Sequence, residues 1–116
     1  MSLILVHTEE CLTTLALAGR LDSTAIATIE PEFMRKAVAL KKPLLVDMSQ
    51  VTFMASICIR MFVEAAKTLK VSGARLALLK PTPFVEKTLT ASGFHFLVGM
   101  YHDEGVARAK LLERQA

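Results

Sequence analysis

Between Leu44 and Leu69, in the run LLVDMSQVTFMASICIRMFVEAAKTL, the hydrophobic period changes once. That change restricts the chain to folds that pass from a buried strand into an amphipathic helix. Leu44, Leu45, Val46 and Met48 form an apolar run around Asp47, preceded by Pro43 and too short for a helix, which predicts a central strand. Asp47, Ser49 and Gln50 are expected to end it in a short polar turn. From Ile57 onward, Cys58, Met61, Phe62, Ala65 and Leu69 recur at three- and four-residue spacing, the pattern of one buried helical stripe. The period switches across Phe53 to Ser56, so Ser56 is expected to cap the helix, its hydroxyl accepting from a backbone N–H further along. At roughly 100° per residue, Ser56, Arg60, Val63 and Lys67 fall opposite the stripe. The spacing therefore sets Ser56 at the exposed mouth of a helix.

Around this unit the punctuation is regular. Leu3 to Val6 predicts a short strand, His7 to Glu10 a turn, and Cys11 to Ala18 a second strand with Leu12, Leu15 and Leu17 inward, together a hairpin-like edge closed by Gly19. Asp22, Ser23 and Thr24 supply cap-type residues before a helical segment to about Leu40, with Phe33, Met34, Ala37 and Val38 inward. Pro31 leaves two starts open: near Glu30, or a bent first turn across Thr24 to Ile29. Ala74 to Leu79 is nearly continuous in apolar residues and reads as an interior parallel strand. Thr82 with Pro83 opens a third helix that Ser92 and Gly93 stop. Phe94 to Met100 predicts a last strand. Glu104 to Arg114 predicts a final helix capped by Asp103, with Val106, Ala109 and Leu111 or Leu112 inward. The expected fold is α/β, a mixed, mostly parallel sheet of about five strands layered with helices after strands two to five. Asp22, the segment Ser49 to Ser56, and Lys80 to Phe84 are expected at the carboxyl ends of the strands, at a switch point.

With 116 residues, 53% of them hydrophobic, residues 1–116 are expected to form a single domain. The longest charge-free stretch, Thr88 to His102, contains Ser92, Gly93 and two histidines, too short and too polar for a bilayer span. Met1-Ser2-Leu3 leads into a strand-like segment without a secretory cleavage pattern, so a cytoplasmic protein is expected. Cys11 and Cys58 suit free buried thiols of a reducing compartment, a disulfide being the alternative. The formal charge of +3 is spread along the chain, without the basic patch and exposed aromatics of a nucleic-acid binder. His7, His95 and His102 show no ligand spacing with the cysteines, and no phosphate-loop motif is present. Neither a metal, a cofactor nor an enzymatic activity is expected. Cys58 admits a low-pKa reading, at the start of a helix, against a packing reading on the apolar stripe.

Five segments carry a family resemblance. Gly19-Arg20-Leu21-Asp22 resembles the G-x-L-D turn, and Leu45 to Phe53, LVDMSQVTF, the central strand and turn, of the STAS domain, the family of bacterial anti-sigma-factor antagonists and related modules. Gly73 to Leu78, Pro81 to Val85 and Ser92-Gly93-Phe94 are similar to its later strand, loop and turn. The resemblance implies a STAS-like fold and a non-enzymatic regulatory module. In such antagonists the helix after the central strand usually begins D-S-S/T-G, the first serine being phosphorylated by a partner kinase. Here Ala55-Ser56-Ile57-Cys58 stands instead: Ser56 matches the phosphoacceptor, while the Asp, the second hydroxyl and the Gly are gone. The implied partners are an anti-sigma factor or a serine protein kinase, met through Asp22, Met54, Ser56, Ile59, Arg60 and Val63. The alternative is an accessory STAS subunit docked on a transporter ATPase without phosphorylation. For Met54 the competing reading is packing over the turn.

Overall fold

A computed structural model describes residues 5–8, 11–36, 39 and 41–113. Leu3, Ile4, Ala37, Val38 and Arg114, to which the sequence reading assigned strand or helix positions, lie outside them. Strand β1 (Leu5–Thr8) pairs antiparallel with β2 (Thr13–Leu21), giving the expected hairpin edge. Then β3 (Leu44–Met54), β4 (Leu76–Leu79) and β5 (Gly99–Tyr101) add in parallel, in the order β1-β2-β3-β4-β5. The strand order never reverses, so the sheet has no topological switch point, contrary to expectation.

Each parallel crossover advances one strand in the same direction, and so the three intervening helices share one face of the sheet. Ile26, Ile29 and Phe33 of α1 (Ser23–Lys36) are buried there. The stripe Cys58, Met61, Phe62, Ala65 and Leu69 of α2 (Ser56–Val71) joins them, as its spacing predicts. Val85 and Leu89 of α3 (Pro83–Ala91) complete the layer. On the opposite face α4 (Glu104–Leu111) covers Leu45, Ala77 and Leu79 with Ala107 and Leu111. Val106 and Ala109, expected inward, are exposed, because the small Ala107 turns toward the sheet and sets the phase of the helix. The four residues of β4 are buried, alternately under the two helical layers.

The structure chooses between the two starts left open for α1 and moves two other boundaries. First, α1 starts at Ser23, where Asp22 Oδ1 accepts from the Ala25 N–H at 2.9 Å, and runs on through Pro31 at the loss of one backbone donor. Starting there brings Ile26 and Ile29 into the core beside Phe33. Second, β3 does not stop at a polar turn but continues to Met54. It opposes the nine residues of β2 with eleven of its own, and two register shifts absorb the excess. At the first shift the Asp47 carboxylate accepts from the Ser49 N–H at 2.9 Å, so the polar residues mark a bulge and not an end. Gly19, expected to close β2, lies within it at φ +83 beside the second shift. Third, Phe94–Phe96 is a 3₁₀ turn entered through Gly93 at φ +80, which drops Phe94 into the helical layer against Phe62. The last strand therefore starts only at Gly99.

Candidate functional site

The carboxyl end of β3 carries the candidate site. Leu21 and Met54 are register partners, and the Ala55 N–H donates to the Leu21 carbonyl at 2.9 Å, tying the chain before Asp22 to the chain before Ser56. Two loops distant in sequence thus leave the sheet side by side. That bond fixes Ala55 in an extended conformation, φ −82 and ψ 160, as the cap residue of α2, which has no side-chain cap bond. Ser56 is the first helical residue, so its expected capping role is overturned: at N1 the hydroxyl has passed the position from which it reaches an N–H two or three residues ahead. It is exposed at the positive end of the helix dipole.

Arg60 follows one turn later, also exposed, while Ile59 and Val63 are half-buried and pack against the core from the rim of the helix. Ile57, two-fifths exposed, adds apolar surface at the mouth. Met54 is 2% exposed and belongs to the core, which corrects its place on the partner surface; it follows the inward side of β3, like Val51, and packing over the turn is its role. Asp22 is half-buried and engaged as the cap of α1.

A surface feature that sequence reasoning missed lies alongside. The guanidinium of Arg20 sits 4.3 Å from the centre of the Phe53 ring, and Phe84 stacks on Phe53 at 6.1 Å. Phe84 is held there because Thr82 Oγ1 donates to the Val51 carbonyl at 3.0 Å, fastening the start of α3 to the bulged end of β3. The sole sequence signal was an unusually apolar second residue in a helix opened by Thr82 and Pro83. Further along this edge His102 Nε2 meets Glu86 Oε1 at 3.0 Å, bridging the loop after β5 to α3.

The remaining candidates separate by burial. Cys58 lies in the core, and desolvation pushes its thiol up to about 12, which removes the reactive-thiolate reading. Cys11 is exposed, against the expectation that both thiols are buried. His95 stands on the exposed 3₁₀ turn rather than on a strand. Among the described residues no group of three His, Cys, Asp or Glu could hold a metal ion, and no helix is long and apolar enough to cross a membrane.

The STAS domain family model matches residues 2–107. The chain belongs to the STAS family. Solved structures with this fold include an anti-sigma factor antagonist from Mycobacterium paratuberculosis, 17% identical, with a TM-score of 0.86 and coverage of 97% of this chain and 96% of that one. An anti-sigma-factor antagonist (STAS) domain protein from Planctomyces limnophilus is 22% identical, with a TM-score of 0.84 over 95% and 98% of the two chains. Unphosphorylated SpoIIAA, an anti-sigma factor antagonist, is 20% identical, with a TM-score of 0.77 over 93% and 95%. No curated protein sequence matches the chain.

Proposed function

We propose that this STAS domain is a cytoplasmic protein-binding regulatory module that meets a serine protein kinase or anti-sigma factor through the Asp22 and Ser56 loops and the outer side of α2. The observation that carries the reading is the position of Ser56: exposed, first in its helix and joined to the Asp22 loop through the Ala55–Leu21 bond. Ile59 and Val63 would supply apolar contact, with Arg60 at the rim. SpoIIAA has been solved in both phosphorylated and unphosphorylated forms, which supports phosphorylation as a chemistry this fold accommodates. A phosphate on Ser56 would bring about −2 charge and three strong acceptors to the positive end of α2. The fold would tolerate it and the surface would change sign.

The test isolates partners from the source cell on immobilised wild-type protein, then titrates each purified partner against wild type, Ser56→Ala and Ser56→Asp. An anti-sigma factor or serine kinase should bind wild type and Ser56→Ala alike and lose Ser56→Asp by about a hundred-fold, since an anion without a matched partner costs several kcal/mol to desolvate. Equal binding of all three proteins would sink the switch. A second reading, a scaffold docked on a transporter ATPase without phosphorylation, is favoured by Ala55, Ile57 and Cys58, which replace the residues that flank the serine in the family's motif. Capture of such an ATPase, indifferent to Ser56→Asp, would decide for it.

A further inference from the structure

From Ala65 to His102 the chain contains one acidic residue, Glu86, against Lys67, Lys70, Arg75, Lys80 and Lys87. Glu86 stands in the first turn of α3 and meets His102, so the turns that end α2 and follow α3 carry no carboxylate of their own. These turns lead into the parallel strands β4 and β5, at the opposite end of the sheet from Ser56. Among the described residues the three most exposed large apolar side chains all stand there: Val71 at 90%, Phe96 at 84% and Leu97 at 66%. Single exposed apolar side chains are ordinary, but the three highest exposures at one end of a sheet mark a contact surface.

Local structure explains why they project. Val71 is the last residue of α2 and lies opposite Phe62 of the buried stripe, and Gly73, at φ +77, turns the chain into β4 before anything can cover it. Gly93, at φ +80, sends Phe94 inward against Phe62, and the 3₁₀ turn that follows leaves Phe96 and Leu97 outside. His95 packs on the Phe96 ring at 4.1 Å. Lys70 and Leu97 line one open cleft, which sets the end of α2 beside this turn. Lys67 and Lys70, both exposed, flank Val71, while Glu64 lies two turns back along the helix. Across the cleft Lys110 is paired with Glu113 at 3.7 Å and adds no net charge.

We propose that this tip docks on an anionic lipid surface, Phe96, Leu97 and Val71 entering the headgroup layer and Lys67 and Lys70 meeting its charge. The make-up of the tip separates a lipid from a protein partner. The centre of a protein interface is depleted of charge, lysine above all, and needs a partner of matching shape. Here lysines flank apolar side chains that project from two turns, the pattern of an interfacial anchor whose apolar tips enter a compliant layer while the cations stay at the phosphates. Attraction to a charged surface acts over about 8–10 Å, so the lysines need no dedicated hydrogen bonds. The docking is independent of the Ser56 reading, and a docked domain keeps the carboxyl edge of its sheet turned away from the lipid.

The test is flotation of the full chain with vesicles of equal parts phosphatidylserine and phosphatidylcholine, beside vesicles of phosphatidylcholine alone. Partition into the mixed vesicles should exceed that into the neutral ones by about ten-fold and fall as salt rises. Phe96→Ser with Leu97→Ser, and separately Lys67→Gln with Lys70→Gln, change exposed side chains and should keep the wild-type melt while each lowers partition into the mixed vesicles about ten-fold. Ser56→Asp should partition as wild type does. Equal partition into both kinds of vesicle, partition into neither, or partition indifferent to the loss of Phe96 and Leu97 would overturn the proposal. So would a dimer of the free chain that Phe96→Ser with Leu97→Ser dissolves, which would assign the tip to a second copy.

Discussion

Ser56 and Cys58 stand two residues apart on α2 and differ in everything that governs their chemistry. Ser56 is exposed at the positive helix end, so Ser56→Asp should stabilise the fold by about 0.3–1 kcal/mol through the dipole. Its melting temperature is expected to be no lower than that of wild type while partner affinity falls, and Arg60→Ala in the same chain should deepen the loss by removing a cation one turn away. An early melt with intact binding would contradict both expectations. Cys58 is the reverse case. Burial raises its folded pKa from 9.0 to about 12, so the neutral thiol is the form the fold favours. The stability this gives is complete below pH 9 and is lost as pH rises from there through 12, because the unfolded chain releases the proton first. Thiol titration should modify exposed Cys11 at once and Cys58 only on unfolding. A Cys58→Ala protein should show a shallower alkaline decline in melting temperature.

Helix α2 lacks the cap that its sequence position invites, and this shapes the next expectation. Ala55 has the extended geometry of a cap residue but no side chain to offer the first N–H groups. Ala55→Asp should supply that acceptor and stabilise the protein by about 0.5–2 kcal/mol, read as a higher denaturation midpoint with unchanged slope. The buried stripe of α2 was legible in the sequence because one helical face carries all its apolar spacing. The end of β3 was not. Asp47, Ser49 and Gln50 look like a terminator, yet they sit where a bulge and a half-covered sheet face accept polar side chains, and the bond from Ser49 N–H to Asp47 replaces a lost ladder bond. The apolar phase of α1 was hidden by Pro31, whose cost is absorbed by packing of Ile26, Ile29 and Phe33. At the candidate site, the closeness of Asp22 and Ser56 followed from strands ending at one edge, whereas the Arg20–Phe53–Phe84 stack depends on cross-strand register that no local pattern records.

Across the whole molecule one ring joins the helical layer. Phe62 of α2 meets Phe33 of α1 edge-on at 5.8 Å and Phe94 beyond α3 at 6.2 Å. Truncation by Phe62→Ala should cost about 3–5 kcal/mol, much of the stability of a domain this size, and chemical denaturation should show a midpoint far below that of wild type. A small effect would mean that the layer closes around the gap. The unbroken strand order has a consequence of another kind. Every strand from β3 onward pairs with the strand that precedes it in the chain, so no segment waits for a distant one. As the chain leaves the ribosome from its amino end, each new strand finds its template already laid. Synthesis then extends the sheet by its newest edge, and that edge stays unpaired only for as long as the next helix takes to emerge.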